Sequence, residues 1–271
     1  MANQQQIQEF HENITVFLQN SKKCILEERD KGMERILKGD KSIVTNADIA
    51  AERIIRKGIE EHYPSHGIFG EELPTKNPDS DFMWYIDPID GTRNFSNNIP
   101  TYGTVIGLYY KGIPLAGGID HPALDLTLTA ARGEGSFKNG SRFYINETGS
   151  EISGDKIDYN QIISVGNSLL FERSNELNVF DKIIKCHGSV YIYHDIYASS
   201  LAILGSTAGH VEFNMQMWDL AASQVLVEEA GGRFVMVRYQ KQSENRALHS
   251  FVLGKKKVVD YLVGLVGNNL A

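Results

Sequence analysis

The chain has little cysteine, little tryptophan, no long apolar run and no excess of positive charge. Its two cysteines, Cys24 and Cys186, stand far apart and in no CxxC arrangement. That excludes a disulfide framework and a thiolate zinc site, and fits a reducing cytosol. No stretch approaches the roughly 20 uninterrupted apolar residues of a membrane-spanning helix. The opening Met-Ala-Asn-Gln-Gln-Gln lacks the basic and apolar regions of a signal peptide. A soluble cytoplasmic protein without a membrane partner is therefore expected. Lys and Arg number 27 against 34 Asp and Glu, a net charge of −7. A nucleic-acid polymer calls for a cationic face, so none is expected as a partner, although a local anion site stays open.

The 271 residues are 42% apolar, enough for a sizeable buried core in one large domain or two small ones. No repeat or Pro/Ser linker divides them. Ile7, Phe10, Ile14, Phe17, Leu18 and Ile25 recur at helical spacing and predict a long first helix ended by Lys31-Gly32. Thr45 followed by Asp48 has the shape of a capping box and opens a second helix, closed by Pro64. Strands are then expected at Met83–Ile86, Thr104–Tyr110, Ile113–Ile119 and Leu126–Ala131, with turns short enough to make neighbours antiparallel. The polar stretch Gly140–Tyr159 marks a boundary between an α+β half, 1–145, carrying the chemical motifs, and an α/β half, 146–271. Helices are expected near Asn175–Cys186, Tyr197–Leu204, Leu220–Ala230 and Val258–Val266. Strands are expected at Ile162–Val165, Phe234–Val237 and Phe251–Leu253. The whole reads as one compact unit of layered α/β, α+β type.

The most informative string is Asp87-Pro88-Ile89-Asp90-Gly91-Thr92, preceded by Gly70-Glu71-Glu72. Asp87 ends a predicted strand, and Pro88 fixes the backbone after it. A tight turn can bring Asp90 into the same space. A helix starting at Gly91-Thr92 would offer free N–H groups to an anion. Carboxylates beside an anion site repel each other and the anion, a conflict that a divalent cation removes. Hard oxygen ligands with open positions suit magnesium. Downstream, Met217-Trp218-Asp219 precedes Glu228-Glu229-Ala230-Gly231-Gly232, and Asp219 completes such a cluster.

These strings, with Lys41, Val44-Thr45 and Asp48, Tyr63-Pro64-Ser65-His66, Arg132-Gly133-Glu134-Gly135 and Asn139-Gly140, resemble the inositol monophosphatase family. The resemblance implies a magnesium-dependent, lithium-sensitive phosphomonoesterase with a layered αβαβα sandwich of largely antiparallel sheets, commonly a homodimer, holding two to three Mg2+ ions. Glu71, Asp87 and the Ile89 carbonyl would hold the first ion; Asp87, Asp90 and Asp219 the second; a third, weaker ion would sit near Glu71. The Gly91 and Thr92 N–H groups would hold the phosphate, next to Asp90 and Asp219. Glu71 and Thr92, with Asp48 orienting the Thr92 hydroxyl, would position and deprotonate the attacking water, and Lys41 would lie close by. The implied reaction is hydrolysis of a small alcohol phosphate by direct attack of metal-activated water.

The family's substrates differ. Glu212 stands six residues before Trp218, where the inositol enzymes carry a ring-hydroxyl contact. Asp195-Ile196-Tyr197, Pro100–Thr104 and Gly118–Pro122 are similar to the histidinol-phosphatase branch. Asp195 with Glu212 would favour a cationic amine over a neutral polyol; alternatively Asp195 caps the helix that follows it. Inositol monophosphate and histidinol phosphate both remain open. A 3′-phosphoadenosine nucleotide, fructose 1,6-bisphosphate and a non-catalytic metal-binding scaffold are the alternative readings.

Overall fold

Apolar residues at helical spacing wind into α1 (Gln4–Lys31), which begins in a capping box between Asn3 and Gln6 and stops at Gly32. Residues 2–39, 42–148, 152–153, 156–158, 160–186, 189–243 and 246–267 are described by the computed structural model. A short antiparallel pair, β1 (Arg35–Leu37) and β2 (Ile43–Thr45), leads into α2 (Asn46–His62). The expected Thr45–Asp48 cap is present, with the Thr45 N–H donating to Asp48 Oδ2 at 2.8 Å.

Seven strands follow and form one sheet in chain order: β3 (Gly67–Gly70), β4 (Phe82–Asp90), β5 (Gly103–Tyr110), β6 (Ile113–His121), β7 (Leu126–Ala131), β8 (Gly135–Lys138) and β9 (Ser141–Phe143). The β3–β4 pair is parallel. The pairs from β4 to β8 are antiparallel, as the short connections from β5 onward require. The apolar stripe of α1 (Ile7, Phe10, Ile14, Phe17, Leu18) and Ile55 and Ile59 of α2 join Trp84, Ile86, Ile106 and Leu108 of the strands in one core. A five-residue helix, α3 (Thr92–Ser96), turns out of β4.

The chain divides into two units, 1–142 with 218–226 and 143–217 with 227–271. The second has a two-stranded piece, β10 (Ile152–Ser153) with β11 (Lys156–Ile157). Its main sheet draws on β12 (Ile163–Val165), β13 (Val190–Ile192), β14 (Gly209–Met215), β15 (Arg233–Ser243) and β16 (Arg246–Gly254), ordered β13-β12-β14-β16-β15. The pairs of β12 with β13 and with β14 are parallel; those of β16 with β14 and β15 are antiparallel. The helices are α4 (Ser168–Arg173), α5 (Leu177–Cys186), α6 (Asp195–Ile203) and α9 (Lys256–Val266). Mixed α/β structure with mostly antiparallel sheets is thus what the chain forms.

One expected helix is two. Leu220–Ala230 is replaced by α7 (Met217–Leu220) and α8 (Ser223–Glu229), broken at Ala221-Ala222. The reason lies in the sheet. Gly107 and Gly117 face each other across β5 and β6. A Cβ on Gly107 would fall 2.5 Å from the Ala221 carbonyl oxygen, and one on Gly117 2.9 Å from Ala222 Cα. The two glycines let the break lie directly on strand backbone, and the return of residues 218–226 carries Asp219 into the first unit.

Candidate active site

Asp87 and Asp90 both belong to β4, and Asp219 to α7. One carboxylate oxygen from each lies within 4.8 Å of the others. Asp87 and Asp90 are 2% and 5% exposed. Burial, followed by the charges of Glu71, Asp90, Asp219 and Asp48, pushes the Asp87 carboxyl well above its ordinary range. Asp87 Oδ1 is buried with no hydrogen-bond partner among the described residues. A buried acceptor crowded by like charges is a costly arrangement without a cation. The donor set is all oxygen, which fits magnesium rather than a soft metal.

Gly91, with φ at 82°, caps α3 and starts Thr92 on its helical turn. The Thr92 hydroxyl is 3.1 Å from Asp48 Oδ1 and 2.9 Å from the Ile89 carbonyl. It has one proton and can donate to only one of them at a time. Donation to Asp48 leaves the Ile89 oxygen free for another ligand. Asp48 is fully buried at the start of α2. Its Oδ2 also accepts from the Thr45 hydroxyl at 2.5 Å. Burial raises its carboxyl to about 6 in spite of these bonds, helped by the charge of Glu71.

Glu71 and Glu72 follow β3. Lys38, at the tip of the β1–β2 hairpin, reaches Glu71 Oε1 at 3.1 Å and Glu72 Oε1 at 2.7 Å. Burial works against the Lys38 ammonium, but the two carboxylates outweigh it and leave its pKa raised. Glu72 is lifted to about 7 by burial and by the charge of Glu71, against the pull of Lys38. Lys41, the lysine expected here, lies outside the described residues. Nothing in the sequence separates two lysines three residues apart, so Lys38 was not legible.

Glu52 and Arg56 were also missed. They lie one turn apart in α2, where the pair reads as an ordinary i,i+4 surface bridge. Instead, Glu52 is fully buried. It accepts from Arg56 Nε at 2.7 Å and from the N–H groups of Glu72 at 2.7 Å and Leu73 at 3.2 Å. Arg56 donates onward to the carbonyls of Leu73 and Pro74, each at 2.9 Å. This clamp fixes the loop that begins with Glu71.

In the second unit, His194 stands at the N-cap position of α6 without a side-chain cap bond, and Asp195 is the acidic residue of its first turn. Asp195 holds a left-handed φ of 60°. Glu212 is 3% exposed and lies 3.4 Å from His210 Nε2. His210 Nδ1 is 2.9 Å from the Ser164 hydroxyl. A carboxylate that could have been an ordinary surface residue is thus built into the sheet.

A model of the inositol monophosphatase family matches residues 6–260. A histidinol-phosphatase of Chlorobaculum parvum is 36% identical over 74% of this chain and 75% of its own length. An inositol-1-monophosphatase of Rhizobium meliloti is 32% identical over 72% of this chain and 73% of its own. The inositol monophosphatase structure from Anabaena superposes with a TM-score of 0.77 over 96% of both chains at 23% identity, a likeness of fold.

Proposed function

Because the chain belongs to the inositol monophosphatase family, with relatives named histidinol-phosphatase and inositol-1-monophosphatase, we propose that it is a magnesium-dependent phosphomonoesterase acting on a small alcohol phosphate. The observation that carries this reading is the convergence of Asp87, Asp90 and Asp219 to within 4.8 Å, in the same unit as a Thr92 hydroxyl hydrogen-bonded to buried Asp48. Glu71, Asp87, Asp90, Asp219 and the Ile89 carbonyl are the residues that would hold two to three ions. Magnesium supplies neutralisation of the phosphoryl oxygens and of the leaving alkoxide.

The chain's own groups do the rest. The Gly91 and Thr92 N–H groups orient the phosphoryl oxygens. Thr92 Oγ1 takes a proton from the attacking water as its own proton passes to Asp48 Oδ1, and Glu71 orients the same water. A carboxyl with a pKa raised to about 6 is well matched to accept that proton near neutrality. Attack is direct and in line, so inversion at phosphorus is expected.

Histidinol phosphate is the preferred substrate in this reading. Asp195 and Glu212 supply two carboxylates suited to its cationic amine, and Asp195-Ile196-Tyr197 resembles the histidinol-phosphatase branch. Inositol monophosphate is the second reading, supported by the position of Glu212 six residues before Trp218. The same family likeness points to a cytoplasmic homodimer inhibited by lithium; among the described residues no helix is long and apolar enough to cross a membrane.

The deciding experiment is phosphate release with magnesium from histidinol phosphate, inositol 1-phosphate, fructose 1,6-bisphosphate and 3′-phosphoadenosine 5′-phosphate. Preference for histidinol phosphate, abolished by Asp90→Asn, supports the proposal. Metal binding without turnover on any of the four makes the chain a scaffold.

A further inference from the structure

In a regular strand, residues three apart point to opposite faces. Asp87 and Asp90 are three apart on one strand, and their carboxylates nonetheless meet. The β4–β5 ladder contains the reason. Asp87 pairs with Val105 and Asp90 with Gly103, so three steps on β4 are matched by two on β5. The extra residue is a bulge, and it turns the second aspartate to the side of the first.

A bulge takes backbone groups out of the ladder, and buried groups must then find other partners. Pro88 has no N–H to satisfy. Its carbonyl accepts a hydrogen bond from the Thr104 hydroxyl at 2.8 Å. Thr104 lies between Gly103 and Val105, directly across from the bulged residues. Its Oγ1 is 3.1 Å from the hydroxyl of Ser21, on α1. Since the Thr104 proton goes to Pro88, Ser21 is the donor in that second bond. Both hydroxyls are fully buried, so water does not reach either to take its place. A valine would fill the same strand position with nearly the same shape; what it would lack is the hydroxyl that bonds the Pro88 carbonyl.

We propose that Thr104 is a positioning residue for the paired carboxylates, acting through the Pro88 carbonyl, with Ser21 fixing the direction of its proton. The proposal rests on the reading of Asp87, Asp90 and Asp219 as a metal centre, and adds to it a residue that touches neither ion nor substrate.

The test is a terbium(III) titration of the full chain, read by luminescence sensitised through tryptophan (Trp218 adjoins Asp219 in the sequence), with competition by magnesium and with thermal unfolding recorded in parallel. Asp87→Asn serves as the control. Thr104→Val is expected to raise the binding midpoint about tenfold or more, the range found when groups that orient metal ligands are removed; Thr104→Ser, which keeps the hydroxyl, should stay near wild type. A folded Thr104→Val variant with an unchanged midpoint, or a Thr104→Ser variant as impaired as the valine, overturns the proposal. If Thr104→Val does not fold, Ser21→Ala decides: a raised midpoint supports the relay, and an unchanged one overturns it. Wild-type protein that takes up no ion, or takes it up as well with Asp87→Asn, removes the metal centre itself and the proposal with it.

Discussion

The Glu52 carboxylate fills the space that a side chain at residue 70 would occupy, so a Cβ added to Gly70 would collide with it. The strand end that delivers Glu71 is thereby packed against a buried charge from α2. Gly70→Ala is expected to cost about 1–3 kcal/mol through overpacking. Glu52→Ala should cost more, about 3–5 kcal/mol, because it leaves Arg56 buried without its partner. Urea unfolding of both variants gives the comparison; a neutral Glu52→Ala would show that the clamp does not hold the loop.

Asp87 presents the opposite balance. Its carboxyl is disfavoured by burial and by four neighbouring carboxylates. Asp87→Asn is therefore expected to melt higher than wild type when metal is removed with EDTA, at about 2–4 °C per kcal/mol relieved. The same variant should lose the stabilisation that saturating magnesium gives the wild type, about 2.7 kcal/mol at a hundredfold excess over Kd. A calorimetric scan of both proteins with and without magnesium checks the crossing of these two effects.

Thr92→Ala removes the hydroxyl that links water to Asp48 and leaves the carboxylates in place. A fall in kcat of about 10²–10⁴-fold is expected, with little change in the metal titration midpoint. Loss of metal binding in parallel with kcat would make Thr92 a structural support instead.

Asp120 gives a pH dependence away from the site. It is 1% exposed, and burial raises its carboxyl from 3.8 to about 6, partly offset by the Thr127 hydroxyl and Lys22. A carboxyl raised in the folded state keeps its proton after the unfolded chain has lost it. Its contribution is therefore largest below pH 3.8, falls as pH rises to 6, and is a constant penalty above. His121 works the other way: burial lowers it from 6.5 to about 4, so its contribution is lost as pH falls across that span. The difference between wild type and Asp120→Asn isolates the carboxyl and should change by about 1–3 kcal/mol between pH 4 and 7. A flat difference curve would refute the shift.

Asp195 is best tested with asparagine, which removes the charge and still tolerates a left-handed backbone. Asp195→Asn is expected to lower kcat/KM for histidinol phosphate at least about tenfold more than for inositol 1-phosphate, the loss of roughly one charge-assisted bond. Equal losses on both substrates would remove the case for an amine contact.

Much of this was legible in the residues. The α1 stripe, the Thr45–Asp48 cap and the antiparallel meander each carry their instruction within a few positions, and each formed where expected; at Asp87–Thr92 the strand expected to end at Asp87 runs on to Asp90 through a bulge in place of a tight turn. What the sequence hid depends on approach between distant segments. The break at Ala221-Ala222 answers to glycines on two other strands. The burial of Glu52 and Glu212 comes from what packs over them, since helix or strand periodicity cannot tell a charge in a core from one in water. The bulge at Pro88 is visible only as a mismatch of register with β5.

The return of residues 218–226 sets an order of assembly. A chain emerging from the ribosome has Asp87 and Asp90 long before Asp219, with β12, β13 and β14 made in between and the long strands β15 and β16 still to come. Until residues 218–226 have returned, the pair of aspartates lacks the oxygen of Asp219, so ion uptake should report that return and not the formation of β4 alone.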